Sequence, residues 1–315
     1  EMTSSLVGSE MCIRDRLNIG AEIGFLNNRI NLAVDWYKRD NYDLIGIINT
    51  KGTGGQLTKL ANVASMKSHG IEFTLSTQNI KKKDFSWNTD FIFSNTKNEV
   101  TDLQSNSSVI EMISGSGFAL EGYPVRSLFS MDFRGLNESG YPTFINEDGN
   151  LTVSNINFQE RIKKGHLIYE GPTDPTITGS FGNSFKYKNF LLNLFITYSF
   201  GNVIRLDPVF HNQYSDLDAM PREFINRWTK GGDEKYTDIP VIADKRANQQ
   251  DPYLSYAYNA YNYSTARIAK GDFIRMKEIS LTYNFPKKLI VKAGVSDLSL
   301  KLQATNAFLI YSDKK

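Results

Sequence analysis

The chain has 315 residues with 36 basic and 34 acidic side chains, so no excess of positive charge recommends a nucleic-acid partner. A single cysteine, Cys12, excludes an intrachain disulfide and any zinc site built from several cysteines, and no apolar run reaches the roughly 18 residues of a transmembrane helix. A hydrophobic share of 40% with 12% aromatics suits an outer-membrane β-barrel, where only alternate residues touch lipid, but also a soluble β-sandwich or propeller.

Residues 1–16 (EMTSSLVGSEMCIRDR) lack alternation, and they lack the basic–apolar–small order of a signal peptide. They read as a non-native or disordered arm ahead of a single unit covering 17–315. From Leu17 the pattern changes: Leu17, Ile19, Ala21, Ile23 and Phe25 alternate with Asn18, Gly20, Glu22 and Gly24. A period of two places the two sets on opposite faces of a strand. Asn27-Asn28 supplies a tight turn, and Ile30, Leu32, Val34 and Trp36 resume the alternation, which predicts a hairpin. A second hairpin is predicted from Ile71, Phe73 and Leu75 through a turn at Lys81 to Asp84 into Phe85–Phe93. The triplet Lys81-Lys82-Lys83 is thereby read as a solvated turn. A third hairpin runs from Thr178 to Tyr187, turns at Lys188-Asn189 and returns over Phe190–Phe200. A fourth runs from Gly271 to Phe285, turns between Pro286 and Ser296 and returns over Leu298–Asn306.

The intervening connections are long, covering 49–67, 97–117, 134–174 and 201–269. Short turns at one end and long loops at the other are the habit of an outer-membrane barrel and would be unusual in a compact soluble domain. Up-and-down parity calls for one further crossing between Phe118 and Asp174. A helix is predicted inside the longest loop, with Pro221 at its first position, Phe224 and Trp228 on one face, and Gly231 ending it. The pattern as a whole is all-β and suggests a transmembrane antiparallel β-barrel with long external loops.

The segments LNIGAEIGFLNNRINLAVDWYKRDNYDLI (17–45), NVASMKSHGIEFTLS (62–76), FSWNTDFIFSNTKNEVTDL (85–103) and GYPVRSLFSMDFRGLNESGYPTF (122–144) resemble, in that order, the SusC/RagA group of TonB-dependent outer-membrane transporters. So do DPTITGSFGNSFKYKNFLLNLFITYSFGNVI (174–204), RWTKGGDEKYTDIP (227–240), FIRMKEISLTYNFPKKLI (273–290) and SDLSLKLQATNAFLIYS (296–312). No single motif carries the resemblance; order and spacing do. It implies a barrel of roughly 22 strands with a plugged lumen, of which this chain is about the last half, so the chain is expected as an incomplete transmembrane antiparallel β-barrel, an open curved sheet. The plug and the TonB box are then expected upstream, and a closing strand downstream. It also implies residence in a Gram-negative outer membrane among its lipids, import of an oligosaccharide or peptide, a SusD-like surface lipoprotein as lid, and TonB as the source of pulling force. Neither an enzymatic activity nor a cofactor is implied.

Candidate binding residues lie in Asp251–Tyr263, which holds Tyr253, Tyr256, Tyr258, Tyr261 and Tyr263 among Asn and Ser. Tyrosine rings stack on apolar sugar faces, and their hydroxyls or neighbouring amides bond sugar hydroxyls. Loop packing or an interfacial girdle uses the same residues. The histidines His69, His166 and His211 are far apart, which speaks against a metal site. Asn146–Asn150 has the look of a calcium loop, but Phe144 and Asn155 occupy the positions an EF-hand gives to carboxylates, so it reads as a turn. Lys51–Lys59 is glycine-rich without the ending of a phosphate loop, and no nucleophile–base motif is present. The rival readings are a soluble carbohydrate-binding β-sandwich or lectin, with strands of about 5–6 residues, and a β-rich hydrolase with a paired acid and base.

Overall fold

The computed structural model describes residues 12–49, 55, 58–104, 107–116, 120–146, 148–153, 166–210, 220–242, 245–251, 253–291 and 294–314. In chain order the strands are β1 (Ile13–Phe25), β2 (Ile30–Asn49), β3 (Thr58–Lys81), β4 (Phe85–Leu103), β5 (Ser127–Ser130), β6 (Phe133–Leu136), β7 (Pro142–Ile145) and β8 (Leu151–Thr152). They continue with β9 (Ile168–Pro172), β10 (Ile177–Tyr187), β11 (Phe190–Phe200), β12 (Val203–Arg205), β13 (Ile268–Lys270), β14 (Phe273–Asn284) and β15 (Ser299–Ser312). The α-helices are α1 (Val109–Ser114), α2 (Lys245–Gln250), α3 (Leu254–Asn262) and α4 (Lys287–Ile290).

Eight of these strands form one open antiparallel sheet, ordered β1-β2-β3-β4-β10-β11-β14-β15. Its register explains why the alternating sequences belong together. Ile23, Leu32, Leu75, Phe91, Phe181, Ile196, Met276 and Phe308 are successive cross-strand partners, one apolar row across all eight strands. Gln78, Asn88, Ser184, Asn193, Ser280 and Gln303 form a polar row on the opposite face. A one-residue slip would mix the two faces, so patterning fixes the pairing. Among the described residues no second layer covers the apolar face, and Leu17, Ile19, Ile23, Trp36, Ile71, Leu300 and Leu302 are exposed. A soluble sandwich buries one face of each sheet against another; this sheet does not.

The turn after β1 has Leu26, Asn27 and Asn28 all at positive φ (51°, 55° and 61°). Asparagine tolerates that region better than most side chains. The short turns all lie at one end of the sheet, and the connections 104–176 and 201–272 both lie at the other.

Several expectations need correction. Eight strands already satisfy parity, because β4 pairs directly with β10, and among the described residues between Phe118 and Asp174 no strand joins the large sheet. The segment between them builds β5–β9, which lie outside the large sheet. The connection placed at 49–67 is shorter, since β2 runs to Asn49 and β3 starts at Thr58. Hydrophobic alternation lapses there, but backbone pairing is independent of side chains and continues through bulges near Leu44. For the same reason β1 starts at Ile13, with Ile13–Arg16 paired to Tyr42–Arg39, and β15 runs on to Ser312. The helix expected from Pro221 to Gly231 is a 3-10 turn over Arg222–Asn226, and Arg227 is already extended (φ −62°, ψ 156°). Trp228 leaves Phe224's face, bonds Ile239 O through its backbone N–H at 2.9 Å, and lays its indole against Gly140.

The two long connections fold into one lobe. Its core draws Met112, Ile113, Phe129, Met131, Phe144 and Leu167 from the first, and Val209, Ala257, Ala260 and Tyr261 from the second. Helix α1 opens with a capping box, Ser108 and Glu111 exchanging side-chain-to-backbone bonds, and closes on Gly115 at φ 70°. The ladder β12–β13 stands just beyond β11 and β14 and joins this lobe to the wall.

Candidate functional site

The tyrosine segment folds as a helix, and that sorts its residues onto two sides. Leu254, Ala257, Tyr258 and Tyr261 follow the spacing i, i+3, i+4, i+7 and are all buried. Tyr258 packs on Phe210 with ring centres 4.8 Å apart, and its hydroxyl donates to Val241 O. Tyr261 meets Phe133 edge to face at 5.4 Å, and burial pushes its phenol well above the ordinary range. These two tyrosines are core.

Tyr256, Asn259 and Tyr263, spaced i, i+3, i+7, share the other side. With Ser255 they form one wall of a cleft of about 430 Å3 whose remaining lining is Pro208, Phe210 and Asn262. That volume lies within the range of small-ligand sites. Tyr256 is exposed and leans on the exposed ring of Tyr253 at 6.3 Å with planes 31° apart, although Tyr253 itself stays outside the cleft.

Two anchors hold the cleft. Asn262 accepts the backbone N–H groups of Val209 and Phe210 (both 3.2 Å) through its carbonyl and donates to Phe210 O (3.1 Å) through its amide. The segment before His211 is thereby clamped to α3. Arg205, at the end of β12, lies 5.5 Å from the ring centre of Tyr263. Its guanidinium donates to Ile113 O, Ser264 O, Phe129 O and Ser130 Oγ, stitching both long connections together. Burial lowers its pKa to about 10, which leaves it charged at neutral pH. Nearby, the buried Arg267 pairs with Glu223 at 2.6 Å and with Asp207 O at 2.6 Å, tying the 3-10 turn to the lobe.

The other candidates are dispersed. His69 lies in β3 and His166 in the lobe, while His211 and most of Lys51–Lys59 fall outside the described residues. Among the described residues no three His, Cys, Asp or Glu side chains gather as metal ligands. Asn146 forms a turn, its carbonyl oxygen accepting from Asp148 N (3.0 Å) and Asn150 N (2.9 Å). Sequence reasoning missed Asn259, Ser255 and Phe210. The i, i+3, i+7 spacing that unites Tyr256, Asn259 and Tyr263 was present in the sequence, but only a helical reading of the segment makes it visible.

No protein-family model matches the chain. Among curated proteins it is 24% identical over 313 residues to TonB-dependent receptor P3 of Formosa agariphila, covering 95% of this chain and 29% of that one. It is 25% identical over 283 residues to TonB-dependent receptor SusC of Bacteroides thetaiotaomicron, covering 85% of this chain and 25% of that one. Among solved structures, that of the RagAB peptide transporter superposes with a TM-score of 0.72 at 22% identity, covering 96% of this chain and 32% of the other. The open–open state of the RagAB peptide importer gives 0.71 at 21% identity. The chain is thus similar to TonB-dependent receptors, SusC among them, along most of its length, and its fold is that of part of the RagAB structure. It spans about 29% of the length of receptor P3 and 31% of a second Formosa receptor, P39.

Proposed function

We propose that this chain is barrel wall and external lobe of a TonB-dependent importer in the outer membrane of a Gram-negative bacterium, taking up an oligosaccharide or a peptide. The observation that carries the reading is the eight-stranded sheet with an uncovered apolar face, every short turn at one end and a structured lobe at the other. Similarity to receptors named TonB-dependent, over 95% of the chain in one case, supports it. In this reading the apolar rows face lipid, the polar rows face the lumen, and the lobe meets substrate outside the cell. A SusD-like surface lipoprotein covers the lobe, and TonB acts through parts of the protein not in this chain. Of the five candidate tyrosines, Tyr256 and Tyr263 are the contact residues, Tyr253 flanks them, and Tyr258 and Tyr261 support them from the core. No chemical step is assigned to any residue, in keeping with relatives that are receptors and transporters.

Fractionating the source bacterium and disrupting the gene tests the proposal. The protein is expected in the outer membrane, and the disruptant is expected to stop growing on one polymeric nutrient while growing normally on its monomers. Recovery of the protein in a soluble fraction, or unchanged growth on every such nutrient, would contradict it.

A further inference from the structure

The short-turn end of the wall carries a charge pattern that the rest of the molecule lacks. Each of its four turns brings in cations: Arg29 after β1, Lys82-Lys83 after β3, Lys188 after β10 and Lys287-Lys288 after β14. The acidic residues of the same turns are Asp84 and Asp297. The whole chain is nearly neutral, 36 bases against 34 acids, so the remainder is net acidic. Arg29 donates to the carbonyls of Gln78 and Asn79. The lysines are exposed, and among the described residues none of them forms an ion pair. Like charges gathered at one rim repel, and an anionic surface facing them relieves that repulsion.

What faces them follows from the rows beneath. Phe85, Tyr187, Phe190 and Tyr283 are successive cross-strand partners on the apolar face of β4, β10, β11 and β14. Phe190 and Tyr283 lie 4.7 Å apart, and one row farther in Trp87 stacks on Phe185 at 5.6 Å. A belt of aromatic rings on a barrel wall marks the level where hydrocarbon gives way to headgroups. About ten residues along the strands, roughly 25 Å at a tilt of about 40°, lead from this belt to the row holding Trp36 and Ile71, which is the height of an apolar band. The lysines thus stand just outside the belt, at headgroup depth, and Lys188 Nζ lies 5.4 Å from the ring centre of Tyr187. They are strung from hairpin to hairpin along the foot of the wall, two strand spacings or about 10 Å at a time. That is a line, such as a rank of headgroups presents, and not the compact patch of about 800 Å2 that a protein partner covers. The flexible stem of lysine lets its ammonium follow phosphates in a fluid bilayer.

We propose that this lysine rim binds the phosphates of anionic phospholipids in the leaflet at the short-turn end and gathers those lipids around the wall. The assignment rests on the importer reading for the membrane and adds to it a lipid preference confined to one leaflet.

For the test, the whole protein is purified from the source bacterium and reconstituted in phosphatidylcholine bilayers with a trace of spin-labelled phosphatidylglycerol or spin-labelled phosphatidylcholine. The motionally restricted share of each label reports lipid held at the wall. The phosphatidylglycerol label is expected to be favoured about threefold or more at low salt. The preference is expected to fall toward parity in about 1 M salt, which screens exposed charges. A variant combining K82Q, K83Q, K188Q, K287Q and K288Q is expected to lower it about twofold or more, whereas Lys230→Gln with Lys235→Gln, on the lobe, is expected to leave it intact. In cells, a benzophenone side chain in place of Asn189, beside Lys188, is expected to crosslink to phospholipid. Equal restriction of the two labels, or a preference indifferent to the five changes, would overturn the assignment and leave the importer reading standing, as would crosslinking of position 189 to one periplasmic protein. If neither label is restricted, the wall does not meet lipid, and the importer reading falls and takes this assignment with it.

Discussion

A few residues hold geometry that their neighbours cannot supply. Asn262 is buried and satisfies three backbone groups of Val209 and Phe210. Asn262→Ala removes those three hydrogen bonds, at about 0.5–1.5 kcal/mol each. The expected result is faster hydrogen exchange at the Val209 and Phe210 amides, with exchange in β10 and β11 unchanged. In the wall, the hydroxyl end of Tyr37 lies close over Gly70 and its hydroxyl meets Thr96 Oγ1 at 2.6 Å. A Cβ on Gly70 would sit 2.6 Å from both Asn95 O and the tyrosine ring. Gly70→Ala therefore forces the ring off the wall and costs about 1–3 kcal/mol. Tyr37→Phe loses one hydrogen bond, about 0.5–1.5 kcal/mol. Urea-dependent unfolding of the two variants is expected to rank them in that order. Asp233 accepts the hydroxyl and N–H of Thr229 and the N–H of Lys230, and those bonds, the Thr229 hydroxyl foremost, hold its carboxyl below the ordinary value. A folded pKa below the unfolded one contributes stability that is present at neutral pH and is lost as pH falls through the folded value. The turn at Thr229–Asp233 is thus expected to persist down to the ordinary carboxylate range near pH 4 and open only below it. Amide exchange at Thr229 and Lys230 followed against pH checks this, and opening between pH 5 and 7 would contradict it.

At the scale of elements, what was legible and what was not divide along a physical line. The four hairpins could be read because each strand shows its apolar set at period two, and Asn27-Asn28 and Lys188-Asn189 mark turns. Strand ends were less visible because the ladder extends where side-chain alternation has stopped, as in Ile13–Arg16 and Thr58–Met66. Helix α3 escaped notice because five tyrosines among asparagine and serine look like a loop; helical periodicity emerges only once Leu254, Ala257, Tyr258 and Tyr261 are known to be buried. At Pro221–Gly231 the spacing suits a helix, but Trp228 turns away to pack its indole against Gly140 while its N–H bonds Ile239 O. Of the candidate site, the segment was legible and the division of labour within it was not. The Arg267–Glu223 pair predicts one consequence at this scale. Arg267 is 2% exposed and its partner 35%, so Arg267→Met leaves a half-exposed carboxylate that water can solvate. That change is expected to release the 222–226 turn to proteolysis while the eight-stranded sheet stays protected, and Glu223→Gln, which keeps one hydrogen bond, is expected to release it less.

For the whole molecule, the solvent that meets each face of the large sheet is decisive. Apolar residues stand uncovered on one side in rows that cross every strand, an arrangement costly in water and natural in lipid. The lobe at the long-loop end has its own core and requires water on its outside. Both conditions are met when the sheet spans a bilayer and the lobe projects from it. The most direct measurement is a spin-label scan of residues 71–76 in β3, with the protein in its membrane, reading accessibility to oxygen in lipid and to a nickel chelate in water. Ile71, Phe73 and Leu75 are expected to report lipid, and Glu72, Thr74 and Ser76 to report water, in strict alternation. Uniform access of the nickel chelate to all six positions would contradict the membrane wall and the importer reading built on it.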